Sequence, residues 1–122
     1  MTRSKKCQIK LKRAYEAPAT HDGQRILVDR IWPRGVTKEE LSLDGWAKQL
    51  APSARLRKWF GHDPARWEGF KERYFRELDQ NSELVNELKS KCGNGPVTLV
   101  FAAKDTRHNQ AVALKQYLDN GK

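Results

Sequence analysis

The 122-residue sequence contains few cysteines and no long hydrophobic run. Its two cysteines, Cys7 and Cys92, lie far apart and match no spacing typical of a metal or redox site, so no metal site is predicted. In a reducing compartment both are expected to be free thiols. No apolar run approaches the roughly 20 residues of a membrane-spanning helix. The charged first residues precede no apolar stretch long enough for a signal peptide, which predicts a cytoplasmic protein without a membrane partner.

Motifs of several common protein classes are also missing. The sequence has no glycine-rich phosphate loop, no G-x-S-x-G nucleophile elbow and no Cys–His spacing typical of a thiol nucleophile. It has no helix-turn-helix, zinc-finger or aromatic RNA-binding motif either. The sequence therefore identifies no cofactor and leaves open whether the protein is an enzyme.

Positive charge, in contrast, is abundant. Lysine and arginine number 24 against 15 acidic residues, for a formal net charge of +9. This excess favours anionic partners such as phosphorylated metabolites, nucleic acid or acidic proteins, although a solvated basic surface accounts for it equally well. Part of the charge lies in residues 1–6, which we expect to be a basic, flexible N-terminus of a single domain covering residues 1–122.

Three segments have the composition of β-strands. Residues 7–15 alternate between polar and apolar, which is typical of a half-exposed strand at a sheet edge. Residues 25–30 and 97–102 are apolar on both faces, as expected for central strands that helices cover on both sides. Residues 16–24 are too few for a helical crossover, so the first two strands are either antiparallel neighbours or not adjacent.

Helices are predicted between the second and third strands. A capping box at Thr37 and Glu40 begins a helical region over residues 38–50, which is one kinked helix or two short ones. Ser53 and Asp63 are the expected N-caps of the next two helices. Each of these starts has the local sequence that satisfies the first free backbone N–H groups of a helix.

The remaining helices complete the predicted fold. An apolar stripe at helical spacing extends from Trp67 to Leu88, and polar residues 79–82 predict a break in it. A last helix over residues 107–119 follows the third strand and is capped by Asp105 or Thr106. The helical crossover makes the second and third strands parallel. We therefore predict an α/β fold: a single compact domain with a small, mostly parallel sheet of about three strands flanked by helices.

Polar residues follow both central strands where each strand ends. In open α/β sheets, ligands bind outside the carboxyl ends of parallel strands. We therefore predict a basic cleft at this edge of the sheet. The predicted ligand-binding residues are Arg30, Trp32, Arg34, Trp59, Lys104 and Asn109. The predicted catalytic residues are His108, Asp29 and Asp105.

The cationic side chains predict an anion site. Arg30 and Arg34 are suited to bind a carboxylate or phosphate through paired N–H groups, and Lys104 adds a point charge. Trp32 offers a flat apolar wall. A tryptophan such as Trp32 is more often part of the hydrophobic core than of a ligand site, whereas Trp59 is consistent with either.

His108 is the predicted proton-transfer group, since it titrates near neutral pH. Paired with Asp105 or Asp29, it is suited to general acid–base catalysis. Structural roles are open as well. Asp29 fits an ordinary ion pair with Arg30 or Lys104, Asp105 a helix cap, and His108 an exposed first-turn position.

Three motifs carry a resemblance to a known family: RILVDRIWPRGVTKEE, LAPSARLRKWFGHDPARW and VTLVFAAKDTRHNQAVAL. With them, residues 8–119 resemble the YeaO-like family of small bacterial proteins, a branch of a larger domain family of unknown function. The resemblance implies a compact α/β domain in the bacterial cytoplasm and no agreed activity. Its motifs include the two turns at residues 29–35 and 103–109, together with residues 59–64, which supports a shared site there.

Three functions remain open at this point. The first is binding of a small phosphate- or carboxylate-bearing ligand in the predicted cleft, with or without catalysis. The second is nucleic-acid binding through the basic first strand and the helical region 54–76. The third is a non-catalytic protein-interaction domain. The oligomeric state is not predicted.

Overall fold

A parallel sheet organises the part of the chain that the computed structural model describes, residues 8–120. Within it, four strands lie in the order β1–β4–β2–β3. They are β1 (Ile9–Arg13), β2 (Gln24–Leu27), β3 (Gly45–Trp46) and β4 (Val97–Phe101). The predicted α/β class is confirmed, with four strands instead of about three. The N-terminus over residues 1–6, predicted to be flexible, lies outside the described residues.

Helices pack around this sheet. They are α1 (Lys38–Leu41), α2 (Ala54–Phe60), α3 (Trp67–Asp79), α4 (Ser82–Lys91) and α5 (Gln110–Asp119). The break between α3 and α4 falls within the predicted residues 79–82. Short 3₁₀ turns occupy Thr20–Asp22, Lys48–Leu50, Pro64–Arg66 and Cys92–Asn94. Cys92 is disulfide-bonded, which corrects the prediction of a free thiol, and Cys7 lies outside the described residues.

β4 is the central strand and pairs with both β1 and β2. The first two strands are therefore not adjacent, which settles the alternative left open by their short connection. All five residues of β4 are buried. Its polar residue, Thr98, donates a hydrogen bond to the Asp22 carbonyl at 2.7 Å, which satisfies a hydroxyl that burial would otherwise penalise.

The segment predicted as one or two helices over residues 38–50 contains a strand instead. The capping box at its start forms as expected, but α1 ends after one turn because Ser42 adopts a left-handed conformation. The chain then pairs with β2. The backbone N–H groups of Asp44 and Ala47 each donate at 2.8 Å to carbonyls of the β2 strand, those of Arg25 and Leu27. Sheet pairing thus overrides the local helical pattern.

Hydrophobic clusters cover both faces of the sheet, as the apolar central strands predicted. Leu99 and Phe101 of β4 point into the larger cluster, which includes residues of helices α2 to α5. Val100 points the other way and packs with Leu27 and Leu41 in a smaller cluster. This alternation follows from the two-residue period of a strand.

A buried ion pair closes the amino-terminal edge of the sheet. Asp22 accepts hydrogen bonds from Arg25 Nη1 at 2.7 Å and from Lys12 Nζ at 3.0 Å. Burial tends to raise the pKa of Asp22, but the Ala19 N–H and these cations outweigh it and hold the pKa at about 2. The pair lies at the opposite edge from the strand ends where the predicted cleft belongs.

The last helix begins later than predicted. α5 starts at Gln110, and its N-cap is Asn109, whose side chain accepts a hydrogen bond from the Val112 N–H at 3.0 Å. Asp105, one of the two predicted caps, instead accepts from the backbone N–H groups of Arg107 and His108 at 2.9 Å. The residues before the helix therefore form a separate turn. Among the described helices, none has the length and apolar composition needed to cross a membrane.

Candidate functional site

A cleft of about 510 Å³ lies at the carboxyl ends of β2 and β4. Its lining comes from the turn after β2, from α2 and the loop before it, and from the turn that leads into α5. Asp29 and Arg30 lie on one side, and His108 and Asn109 lie on another. The two turns meet because β2 and β4 are parallel neighbours whose carboxyl ends share one edge of the sheet.

Asp29 joins the two turns. Its Oδ2 accepts a hydrogen bond from the Ala102 N–H at 3.0 Å, and its Oδ1 accepts one from the Gln110 side chain. Burial raises the pKa of Asp29 to about 6, although these two hydrogen bonds and the charge of Arg57 act to lower it. Burial therefore makes the charged form of this carboxyl group less favourable than it is in water.

Arg30 contacts the loop before α2. Its Nη2 donates long hydrogen bonds to the carbonyls of Ala51 at 3.4 Å and Pro52 at 3.3 Å. Its Nε is buried and has no hydrogen-bond partner within the described residues. A guanidinium has five N–H donors, so most of the hydrogen-bonding capacity of Arg30 remains unused.

α2 adds two further cations to the cleft. Arg57 and Lys58 both line it and are exposed. Neither side chain makes a hydrogen bond or an ion pair with another residue in the described range 8–120. His62 follows just beyond α2 in a left-handed conformation, with φ of 57°, and also lines the cleft. These side chains present N–H donors to the cleft. Arg57 and Lys58 add positive charge without an ion pair among residues 8–120, although the charge of Arg57 acts on the nearby Asp29.

His108 forms a pair with Asp105. Its Nδ1 lies 3.0 Å from Asp105 Oδ2, and Asp105 also binds the backbone N–H of the same histidine. Hydrogen bonds from Arg107 and His108 hold the pKa of Asp105 below its usual range. The ring packs edge-on against Trp67, with centroids 5.4 Å apart. Because Nδ1 faces a carboxylate, it carries a proton, and Nε2 is the nitrogen left for a ligand.

Comparison with known proteins assigns the chain to a family. A family profile described as "Inactive DUF488-N3 subclade" matches residues 8–121. The chain belongs to this family. Uncharacterized protein YeaO of Escherichia coli (strain K12) is 41% identical over 110 residues, covering 90% of this chain and 96% of that protein. The predicted YeaO-like membership is confirmed.

Two further bacterial relatives of this DUF488-N3 family member cover almost the same residues. Uncharacterized protein Rv3073c of Mycobacterium tuberculosis (strain ATCC 25618 / H37Rv) and uncharacterized protein Mb3100c of Mycobacterium bovis (strain ATCC BAA-935 / AF2122/97) are each 39% identical over 112 residues. Each match covers 92% of this chain and 94% of the relative. No solved structure matches the chain significantly.

Trp32 and Arg34 follow β2 in sequence but turn away from the cleft. Trp32 donates from its ring nitrogen to the Val36 carbonyl at 2.7 Å and packs edge-on against Trp46, with centroids 5.5 Å apart. It belongs to the smaller hydrophobic cluster. Arg34 is exposed, and its carbonyl accepts a hydrogen bond from Tyr15. The chain direction changes after Ile31, so neither side chain reaches the cleft.

Trp59 and Lys104 also lie outside the cleft lining. The Trp59 ring packs under two guanidinium groups, those of Arg73 at 3.9 Å and Arg66 at 5.2 Å from its centroid. Lys104 is exposed beyond the end of β4. Of the nine predicted site residues, the structure therefore brings four into the cleft lining and adds Asp105 behind His108.

Sequence analysis missed the contribution of α2. Arg57 and Lys58 lie within the second family motif, but no strand end pointed to them. His62 lies within residues 59–64, which the resemblance had included in a shared site. Their place in the cleft depends on how α2 packs against α3, which local sequence does not specify. A signal was present in the adjacent basic residues near the end of α2 and in the Gly61 that ends it.

The lining residues limit the chemistry of the cleft. Serine, threonine, cysteine and tyrosine are absent from this lining, which lies wholly in the described part of the chain. Nucleophilic catalysis therefore has no hydroxyl or thiol to start from. No cluster of three or more histidine, cysteine, aspartate or glutamate side chains suited to a metal ion occurs among residues 8–120. The lining offers instead the cationic side chains of Arg30, Arg57 and Lys58 and the ring of His108, whose Nδ1 is paired with Asp105.

Proposed function

We propose that the protein binds a small phosphate- or carboxylate-bearing anion in the cleft at the carboxyl ends of β2 and β4. Arg30, Arg57 and Lys58 supply positive charge, and His108 supplies an additional hydrogen bond. The single observation that carries this proposal is the group of cationic side chains around one cavity with no ion-pair partner among the described residues. Unpaired charge that converges on a concave site favours an oppositely charged ligand.

The opposing charge in the cleft is small. Asp29 is the carboxylate in the lining, and burial raises its pKa to about 6. Its two acceptor oxygens are also occupied by hydrogen bonds from Ala102 and Gln110. An anion that enters the cleft therefore faces three permanent or nearly permanent cations and one carboxyl group that can take up a proton. The net field attracts negative charge.

Binding without turnover is the form of the proposal that the observations favour. The lining has no hydroxyl or thiol nucleophile. The family to which the chain belongs is described as inactive. We therefore assign Asp105 to positioning His108, and His108 to hydrogen bonding with the bound anion, in place of acid–base catalysis.

Substitutions on α2 test this proposal. Arg57 lines the cleft, whereas Arg55 is exposed on the same helix and is not part of the lining. We expect Arg57→Ala to weaken binding of inorganic phosphate, measured by calorimetry at constant ionic strength, by about tenfold. Arg55→Ala removes the same charge from the same helix and is expected to change the affinity by less than about twofold.

Equal losses in the two variants contradict a specific cleft. If both weaken phosphate binding equally, and the same variants weaken binding of a single-stranded oligonucleotide with a steep salt dependence, the nucleic-acid function is favoured instead. If neither phosphate nor carboxylate nor oligonucleotide binds, the protein-interaction function gains support. Each outcome selects one of the three functions that the sequence leaves open.

A further inference from the structure

The cleft has an apolar floor as well as a cationic side. Phe60 and Phe70 contribute to its lining and stack on each other, with centroids 4.4 Å apart. Both are almost fully buried, at 5% and 2% exposure, so their rings are held in place by the core. Ala51, Pro52 and Ala102 add small apolar surfaces nearby. A site for a bare, fully hydrated oxyanion has no need of such a floor.

The size of the cleft also favours a ligand larger than a bare oxyanion. Its volume of about 510 Å³ falls within the roughly 300–1,000 Å³ of pockets that hold small organic molecules. Inorganic phosphate or acetate bound to the α2 cations leaves most of this space unfilled. A ligand that fills it carries further atoms next to the aromatic floor.

Ile31 marks the mouth of the cleft with an apolar side chain. It lines the cleft and is 67% exposed, the highest exposure among the large hydrophobic residues described. Single exposed apolar residues are common on protein surfaces. This one directly follows Arg30 in the same turn, so a cation and an apolar side chain from adjacent residues face one cavity. A ligand with an anionic group and an apolar group contacts both Arg30 and Ile31.

We infer that the ligand of the cleft is an amphipathic organic anion, in which a carboxylate or phosphate group is attached to an apolar aryl or alkyl body. The anionic group lies against Arg57 and Lys58, and the apolar body lies over Phe60 and Phe70 with Ile31 covering its outer side. This inference rests on the proposed anion-binding function and specifies the ligand class of the same site.

Matched probe pairs test the inference. We expect phenyl phosphate to bind about tenfold more tightly than inorganic phosphate, and phenylacetate about tenfold more tightly than acetate, because the ring buries apolar surface on the floor. Benzyl alcohol has the ring without the charge and is expected to bind too weakly to measure. Affinities are measured by calorimetry on the full chain.

Substitution at Ile31 supplies the second readout. Ile31→Ser is expected to bring the affinity ratio of phenyl phosphate to phosphate several-fold closer to one, and Ile31→Leu to retain it. Tyr15→Ser removes an exposed aromatic ring outside the cleft, together with its hydrogen bond to the Arg34 carbonyl, and is expected to leave the ratio unchanged. Because Ile31 and Tyr15 are exposed, these variants are expected to fold.

The outcomes distinguish a failure of this inference from a failure of the proposed anion-binding function. If phosphate and phenyl phosphate bind with equal affinity, the amphipathic ligand class is overturned while anion binding stands. If benzyl alcohol binds as tightly as phenyl phosphate, or if no anion binds, the proposed anion-binding function fails and the inference fails with it. If Ile31→Ser leaves the affinity ratio of phenyl phosphate to phosphate unchanged, the apolar part of the ligand does not contact Ile31, and the role given to this residue is contradicted.

Discussion

Asp29 accepts a hydrogen bond at 3.0 Å from the backbone N–H of Ala102, 73 residues further along the chain. This contact ties the turn after β2 to the turn after β4 and holds the two sides of the cleft in register. Burial of the carboxyl group raises its pKa to about 6, although this hydrogen bond acts to lower it. Because the carboxyl group is unfavourable to ionise at this position, Asp29 is a substitution target for a test of stability.

We expect Asp29→Asn to stabilise the protein above pH 6. Burial raises the folded-state pKa of Asp29 from 3.8 to about 6, so the folded state holds the proton more tightly than the unfolded state. Stability from this group therefore falls as pH rises from about 4 to 6 and stays low above that. Asparagine removes this penalty, and its Oδ1 still accepts the Ala102 hydrogen bond. The Gln110 amide is expected to turn over so that its oxygen accepts from the asparagine NH2 group. The gain at pH 8 is expected to be about 1–2 kcal/mol by urea denaturation.

The control for this prediction is Asp63→Asn. Asp63 caps the 3₁₀ turn before α3 through the Ala65 N–H at 3.0 Å and is exposed. Asparagine caps equally well, so little change in stability is expected at either pH. If Asp29→Asn destabilises the protein at pH 8, the carboxylate is a net stabilising group and the raised pKa is contradicted.

The buried Asp22–Arg25 pair is expected to be essential for the amino-terminal edge of the sheet. Asp22→Asn leaves Arg25, itself 4% exposed, without its charged partner, and is expected to destabilise the fold by about 3–5 kcal/mol. Because the folded-state pKa of Asp22 is lowered to about 2, its contribution is present above pH 4 and is lost as pH falls towards 2.

A surface pair provides the comparison. Asp119 and Lys115 form an exposed ion pair four residues apart on α5, and Asp119→Asn is expected to cost less than about 0.5 kcal/mol. The double variant Asp22→Leu with Arg25→Met removes both buried charges and is expected to recover much of the loss of Asp22→Asn. Equal effects of Asp22→Asn and Asp119→Asn in urea denaturation contradict the structural role of the buried pair.

Asn109→Ala is expected to destabilise α5 and loosen the turn that carries His108. Asn109 is 2% exposed, caps α5 through the Val112 N–H and donates to the Asp105 carbonyl at 2.8 Å. Loss of an N-cap costs about 1–2 kcal/mol. Faster amide hydrogen exchange at Val112 locates the effect. Asn120→Ala, at the exposed other end of the helix, is expected to stay within about 0.5 kcal/mol of the parent, and a similar loss there contradicts the capping role.

Gly23→Ala is expected to be strongly destabilising for a reason that only the packing of the chain shows. Gly23 has φ of 67°, and a Cβ at this position lies 2.1 Å from the Pro96 carbonyl oxygen. Strain and overpacking together cost about 2–4 kcal/mol. Gly93 has no atom within 4 Å of its Cβ position, so Gly93→Ala is the matched control and is expected to fold with near-parental stability in thermal denaturation. Tolerance of both substitutions contradicts the close approach at Gly23.

Local sequence predicted most helix ends and the central strands correctly. Ser53 is the N-cap of α2 as expected, because capping depends on residues within one turn of each other. β3 was missed, since its pairing with β2 comes from hydrogen bonds to carbonyls about 20 residues away. The cap of α5 was predicted at Asp105 or Thr106, but it is Asn109, because all three residue types are good caps and sequence alone does not rank them.

The residues of the candidate site were also predicted in part. The parallel arrangement of the central strands followed from the helical crossover between them, so Asp29, Arg30, His108 and Asn109 were predicted to share one edge of the sheet, and they do. Trp32 was predicted beside them but packs in the smaller hydrophobic cluster. The direction of a side chain in a turn depends on backbone angles that composition does not specify.

The sequence by itself determined the α/β class, the parallel central strands and the edge of the sheet where polar residues collect, because hydrophobic period, capping and crossover length are local properties. Only the tertiary structure decided which cations face the cleft and which carboxyl group loses its solvent. Arg57 enters the cleft through the packing of α2. The pKa of Asp29 rises because the fold buries its carboxyl group, although hydrogen bonds from residues 73 and 81 positions away act to lower it. The burial of the Asp29 carboxyl group and the convergence of cations on the cleft depend on distances across the fold. Those distances are set by the packing of the whole domain.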